Sequence, residues 1–296
     1  MRHWTIADMP PQAGRLAIIT GANSGIGFET ARALAMAGAR VIVAARSEAK
    51  GRDAAQTIGR GAEWRPLDLA SLASVAMFAN RLLAEGAAIA FLILNAGVMA
   101  PPKRRTTADG FELQLGTNYL GHFALSQRLW PLLAEGARVV PLSSIAAKRG
   151  RFHFDDPMAE RRYIPWRAYC QSKLAMLVFG LELARRQHRV ASIPAHPGFA
   201  RTRIIANGPG DKSPRGTSYR WFTRLYSQSA AEGALPVLRA ATDPAIVSGT
   251  YLGSVGFLEM VGPPGPAPIP RMARDVAAAE RLWTLSEEWT GLTFRP

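Results

Sequence analysis

The 296-residue sequence predicts an α/β protein, a doubly wound parallel sheet with helices on both faces in a single domain. Strand-length apolar runs alternate with helix-length stretches through the first two thirds of the chain, a rhythm that requires crossover connections and so a parallel sheet. Arg40 to Ala45 is continuous in Val, Ile and Ala, as expected of a strand buried on both faces. Gly38-Ala39-Arg40-Val41 and Gly136-Ala137-Arg138-Val139 use one helix-stop, strand-start signal twice, without a tandem repeat.

Taken in order, residues 1 to 14 form an arm into a first strand, Arg15 to Thr20. A glycine turn, Gly21 to Gly27, opens a helix to about Ala37, and Gly38 stops it before the strand Arg40 to Ala45. Then come a helix from Ser47 to about Ile58, a strand at Glu63 to Pro66, a helix from Ser71 to about Ala84 and a strand at Ala90 to Leu94. A longer helix is expected from near Asp109 past Leu133, ending at Gly136, followed by the strand Arg138 to Ser143. Pro141 stands inside that strand and cannot donate to a ladder, so a lost hydrogen bond or a local irregularity is expected there. After an excursion, an apolar-patterned helix runs from Trp166 to Leu183 and leads to the strand Arg189 to Ala195. Thr202 to Gln228 is mixed in polarity, with a short helix near Ser218 to Tyr226. Ala230 to Ala241 reads as a helix, Gly249 to Leu252 as a last strand, Gly262 to Pro270 as a Pro-rich surface loop, and Arg271 to Trp289 as a final amphipathic helix packed through Trp283 and Trp289.

Composition narrows the function. Net charge is +14 with a pI near 10.9, which favours polyanions. Yet the basic residues fall in short scattered groups such as Lys103-Arg104-Arg105 and Arg185-Arg186, without a nucleic-acid-binding signature. The longest apolar run, Ala87 to Ala100, is too short to span a bilayer, and no basic-then-apolar leader follows Met1. A single cysteine, Cys170, excludes an internal disulfide framework and suits a reducing cytoplasm. No His, Cys, Asp or Glu cluster has metal-ligand spacing, and no Gly-x-Ser-x-Gly elbow is present.

Chemistry concentrates where strands end. Thr20-Gly21-Ala22-Asn23-Ser24-Gly25-Ile26-Gly27 follows a strand and opens a helix, the context in which a glycine loop approaches a dinucleotide pyrophosphate and a helix N-terminus stabilises its charge. At the end of the second strand, Ala44-Ala45-Arg46-Ser47 offers no acid for a ribose 2′-hydroxyl, whereas Arg46 can pair with a 2′-phosphate; NADP is therefore expected over NAD. Asp68-Leu69 and Asn95-Ala96-Gly97 end the next two strands on the same rim. Asp68 either accepts from an adenine amino group or caps the following helix, and Asn95 to Gly97 either line the adenosine ribose or only form a turn. Ser144 ends the fifth strand, and of the adjacent Ser143 and Ser144 only one should reach a substrate carbonyl. His196-Pro197-Gly198 completes the rim, with Thr202 available to a nicotinamide carboxamide. Tyr169 and Lys173 stand four apart on one helix face, where a cation favours the phenolate and moves the phenol toward neutral pH for proton exchange.

Together the Thr-Gly-x3-Gly-x-Gly loop at Thr20 to Gly27, Asn95-Ala96-Gly97, Asn118 in Gly116-Thr117-Asn118-Tyr119-Leu120-Gly121-His122, Ser144, and Tyr169 with Lys173 resemble the short-chain dehydrogenase/reductase superfamily. The resemblance spans Gly14 to Gly291. The insert Phe152-His153-Phe154-Asp155-Asp156 and the stretch Ala168 to Ala175 are similar to its retinol-dehydrogenase-like branch. The resemblance implies a Rossmann-type fold and hydride transfer between an alcohol or carbonyl and NADP. It also implies four roles: Ser144 holds the carbonyl oxygen, Tyr169 exchanges the proton, Lys173 lowers the phenol's pKa and binds the nicotinamide ribose, and Asn118 holds a water that links Lys173 to solvent. A bulky apolar substrate is expected, walled by Val98 to Arg105, residues 150 to 165, and residues 203 to 228 with Ile204, Ile205, Trp221, Phe222 and Leu225. A cofactor-sensing protein without turnover is the alternative, though it has no need of the complete proton relay; a nucleic-acid binder comes third. The helices at 109 to 135 and 166 to 187 offer a dimer or tetramer interface, and a monomer is equally compatible.

Overall fold

Strand β1 (Leu16–Thr20) is buried along its whole length, so both of its faces must be covered. In the computed structural model, which describes residues 3–200 and 227–296, α1 (Gly25–Met36), β2 (Arg40–Ala45), α2 (Glu48–Ile58), β3 (Glu63–Pro66), α3 (Leu72–Glu85) and β4 (Ile89–Leu94) follow as the alternation predicts. Next come a single turn α4 (Leu113–Leu115), α5 (Gly121–Leu129), β5 (Leu133–Pro141), α6 (Pro165–Arg186), β6 (Ala191–Ser192), α7 (Ala230–Thr242), β7 (Leu252–Ser254), β8 (Pro264–Pro266) and α8 (Val276–Thr290). Among the described residues the central sheet has six strands in the order β3-β2-β1-β4-β5-β6, all parallel.

The period of two along each strand sorts side chains between two cores. Leu16 and Ile18 of β1, with Ile42 and Ala44 of β2, join residues of α3, α5, α6 and α8 on one face. Ala17, Ile19, Val41, Val43 and Ala45 join residues of α1, α2 and α7 on the other. Ile18 is fully buried, and truncating such a side chain to Ala costs about 2–5 kcal/mol. Trp283 lies against Phe123, Phe179 and Phe294 at 5.1–5.9 Å between ring centroids, a packing role as expected.

Four sequence expectations are corrected. The helix expected from Asp109 to Gly136 begins at α4, where the Glu112 side chain accepts from the Leu115 amide, and passes through a π-helical turn, Gly116–Leu120. It ends in a 3₁₀ turn, Trp130–Leu132, because Pro131 has no N–H to continue a helix; Leu133 already pairs with β4. The strand expected over Arg189 to Ala195 is reduced to β6 and two isolated bridges of Ala195, to Leu142 and to Leu252. Pro141 explains the break: Leu142 donates to Leu94, while Ser143 donates to Ala195 and Pro141 accepts from Ala195, so the missing N–H of Pro141 faces the β6 side. The Pro-rich piece is not a surface loop, since β8 pairs antiparallel with β7. Its prolines are tolerated because the flanking groups make the bonds, Val255 donating to Pro263 and Ala267 to Tyr251. The last helix starts at α8, where Asp275 caps it, after a 3₁₀ turn at Arg271–Arg274. The helix expected near Ser218 to Tyr226 lies outside the described residues.

Candidate active site

Because every strand of the sheet runs the same way, the ends of β1, β2, β4 and β5 deliver their loops to one rim, where a groove of about 720 Å³ opens. Its lining includes Gly21, Asn23, Ser24, Gly25, Ile26 and Gly27 at one side and Arg46, Asp68 and Leu69 at the far end. Asn95, Ala96 and Gly97 lie along the middle, with Ser144, Tyr169, Lys173, Pro197 and Gly198 at the near end. Thr202 and the apolar residues expected at 204 to 225 lie outside the described residues.

The glycine loop is shaped by Thr20 and Asn95. The Asn95 amide donates to the Thr20 carbonyl at 2.8 Å, and the backbone N–H groups of Asn95 and Ala96 both donate to the Thr20 hydroxyl at 2.9 Å. Asn95 therefore braces the loop, and with Ala96 and Gly97 it also lines the groove. A Cβ on Gly27 would stand 2.4 Å from Asn95 Nδ2. Asp68 likewise binds its own turn, accepting from the Ala70 amide at 3.0 Å, while Ser71 caps α3 in its place.

Asn118 is fully buried in the π-helical turn and does not line the groove. Its Oδ1 accepts from the Val98 amide at 2.7 Å, and its Nδ2 donates to the Val98 carbonyl at 3.0 Å and to Ser172 Oγ at 2.9 Å. The side chain's bonds thus go to protein and brace Val98 and Ser172. His122 continues the network, its Nδ1 donating to the Asn118 carbonyl at 2.9 Å while its bare Nε2 accepts from the Thr20 hydroxyl at 2.9 Å. Burial first, and the nearby Lys173 charge second, lower the His122 pKa to about 3, so the ring is neutral.

Ser143 and Ser144 both line the groove, so the expectation that only one reaches it is corrected, although their hydroxyls are engaged differently. Ser143 donates to the Lys173 carbonyl at 2.8 Å. Burial pushes the Tyr169 phenol up to about 12, offset in part by the Ser144 hydroxyl. Burial also lowers the Lys173 ammonium to about 8, and its Nζ donates to the Leu142 carbonyl at 2.9 Å. The phenol is thus moved away from neutral pH, not toward it as expected: loss of hydration dominates, and Tyr169 stands as a protonated acid.

Residues 150 to 165 contribute nothing to the groove's lining among the described residues. Phe152 and Phe154 stack at 5.3 Å and pack on the core, and the Tyr163 hydroxyl donates to the Pro101 carbonyl. Of Val98 to Arg105, only Val98 and Met99 reach the groove. The sequence reading missed Lys50, Thr117, Arg149, Trp166, Phe199 and Met260. Lys50 was findable as a second cation four residues after Arg46, and Trp166 as the residue one turn before Tyr169. Met260 carries no local signal.

The groove fits a nicotinamide dinucleotide. The glycine loop leaves backbone against any phosphate placed there, and the first turn of α1 holds no acidic side chain to repel it. Arg46 and Lys50 are exposed in the groove without an acidic partner among the described residues, and the Thr117 hydroxyl is buried beside it without a hydrogen-bond partner.

The family model for short chain dehydrogenases matches residues 15–211. Retinol dehydrogenase 12 of Mus musculus is 40% identical over 295 residues, covering 94% of this chain and 87% of its own. The crystal structure of an uncharacterized protein from Mycobacterium paratuberculosis has a TM-score of 0.84 at 39% identity, with 99% of each chain covered. Pseudomonas aeruginosa RhlG, solved with NADP in its active site, has a TM-score of 0.65 at 25% identity, covering 82% of this chain and 96% of its own. With the parallel sheet, the glycine loop and the Ser144, Tyr169 and Lys173 groove already in place, these matches show that the chain belongs to the short-chain dehydrogenase/reductase family of nicotinamide-dependent enzymes acting on CH–OH or C=O groups, in its retinol-dehydrogenase-like branch.

Proposed function

We propose that this enzyme uses NADP to interconvert an alcohol and a carbonyl on a bulky apolar substrate, with Tyr169 exchanging the proton. The observation that carries the reading is that Ser144, Tyr169 and Lys173 share one groove with the glycine loop and the cations Arg46 and Lys50. Gly21 to Gly27 would hold the pyrophosphate, and Arg46 with Lys50 a 2′-phosphate. The apolar lining of Val98, Met99, Ile145, Trp166 and Met260 supports a substrate with a large hydrocarbon body, and retinol dehydrogenase 12 is named for an alcohol of that kind.

The bound cofactor supplies or accepts the hydride at the carbonyl carbon. Ser144 orients the carbonyl oxygen through its hydroxyl. Tyr169, held neutral by burial, has a proton to give to that oxygen as negative charge develops on it. Lys173 brings positive charge beside the forming phenolate, and its bond to the Leu142 carbonyl fixes where that charge sits. Asn118 holds Val98 and Ser172 in place around them.

The test is Tyr169→Phe, assayed by NADPH oxidation across aldehydes and ketones of graded size. Turnover should fall about 10²–10⁴-fold, the usual worth of a positioned acid, while NADPH binding stays within a few fold. Near-wild-type turnover, or tighter binding of NAD than of NADP, contradicts the proposal.

A further inference from the structure

The Glu259 carboxylate stands between two donors from different segments. Lys148 Nζ, four residues beyond Ser144, bonds its Oε1 at 2.5 Å, and His196 Nε2 lies 3.4 Å from its Oε2. His196 Nδ1 accepts from the Gly198 amide at 3.2 Å, so the ring proton must sit on Nε2, facing the carboxylate. Among the described residues neither Nε2 nor Oε2 makes a hydrogen bond, so the two buried atoms face each other as a looser polar contact. His196 is fully buried, and its ring lies so close on β7 that a Cβ at Gly253 would come within 1.8 Å of it.

The backbone beneath this carboxylate is strained. Leu258 and Glu259 both adopt left-handed conformations, φ 49° and 59°, in a short turn closed by the Gly256 amide donating to the Val261 carbonyl. Neither is glycine, so the conformation persists only where surrounding contacts over-determine it. The same turn presents Met260 to the groove, and the Met260 carbonyl accepts from the Phe199 amide at 2.7 Å. Gly198, with φ 63°, is pressed against that carbonyl: an added Cβ would lie 2.5 Å from it. His196 and Lys148 together hold the Glu259 carboxyl below the usual carboxylate range, so the charge is present at neutral pH.

We propose that Glu259 is a positioning residue for the reaction: by joining Lys148 to His196 it fixes the Pro197 to Phe199 wall of the groove against the turn that carries Ser144. This rests on the reading of that groove as the cofactor and substrate site. Through Lys148 the clasp reaches the turn that carries Ser144, so it bears on the chemical step more than on cofactor affinity.

Glu259→Gln tests it, because an amide has one acceptor oxygen and must turn its NH₂ toward one of the two donors, breaking one link. Expected are a kcat at least tenfold lower, a Kd for NADPH within threefold of wild type, and hydrogen exchange at the Gly198 and Phe199 amides at least tenfold faster, with exchange at Gly25 to Gly27 unchanged. Lys148→Met, at a side chain 38% exposed, should show the same pattern if Glu259→Gln does not fold, and the double variant should be no worse than the worse single one. A kcat within twofold of wild type, unchanged exchange at Gly198 and Phe199, or additive losses would overturn the proposal. The exchange measurement needs no turnover, so it decides the clasp even if wild-type protein reduces no carbonyl tried, a result that would count against the proposed function instead.

Discussion

His122 Nδ1 donates to the carbonyl oxygen of Asn118 at 2.9 Å, and this bond sets the state of the ring. A carbonyl only accepts, so Nδ1 carries the proton and Nε2 is bare. The Thr20 hydroxyl donates to Nε2, and its oxygen accepts from Asn95 and Ala96. Protonating His122 would aim a second donor at an oxygen whose lone pairs are already used. One neutral imidazole thus ties the end of β1 and the glycine loop to the turn that holds Asn118.

Stability should therefore fall in acid. The folded pKa of about 3 is below the ordinary 6.5, so the unfolded chain binds the extra proton between those values and stability is lost as pH drops from 6.5 toward 3. The slope contributed by this one group approaches about 1.4 kcal/mol per pH unit. Urea unfolding at pH 7, 6, 5 and 4 should show a shallower decline for His122→Gln than for wild type. Equal slopes would mean the ring is not neutral in the fold.

Gly27→Ala should remove cofactor binding while leaving the sheet intact. The new methyl would stand 2.4 Å from Asn95 Nδ2 and 2.9 Å from the Gly21 carbonyl, so the loop must move or the Asn95 to Thr20 bond must break. Titration of NADPH fluorescence should show at least a hundredfold weaker binding with an unchanged far-ultraviolet dichroism spectrum. Binding within threefold of wild type would contradict it.

Arg46→Ala and Lys50→Ala should weaken NADP far more than NAD. A charge-assisted bond to a 2′-phosphate is worth about 1.5–3 kcal/mol, or roughly tenfold to a hundredfold in affinity for each side chain. Calorimetric Kd values for both cofactors check this, and equal losses for the two would show that neither side chain reads the 2′ position.

Carbonyl reduction should lose efficiency above about pH 8. Lys173, depressed to about 8 by burial, gives up its charge there, while Tyr169 keeps its proton until about 12. A profile of kcat/KM between pH 6 and 10 should bend near 8, and Lys173→Arg should move that bend beyond the measured range. A wild-type profile flat to pH 9.5 would rule out this assignment.

The order of strands and helices and the line of groove residues from Gly21 to Lys173 were legible in the sequence, because each rests on local chemistry. Period-two burial, glycine after a strand, serine before a helix and a four-residue spacing on a helix act over a few residues. Pro131 overrides the apolar pattern, since its missing N–H ends the helix that the pattern alone would continue. Tertiary structure alone decided the rest. Whether Tyr169 stands as phenol or phenolate depends on how completely water is excluded, and burial there raises the phenol. Asn118 braces Val98 because a π-helical turn buries it, and Glu259 meets Lys148 and His196 because the turn at its position brings together segments separated by scores of residues. Pair contacts at such separation leave no period in the chain. Desolvation likewise belongs to the packed site, so neither can be read from one sequence.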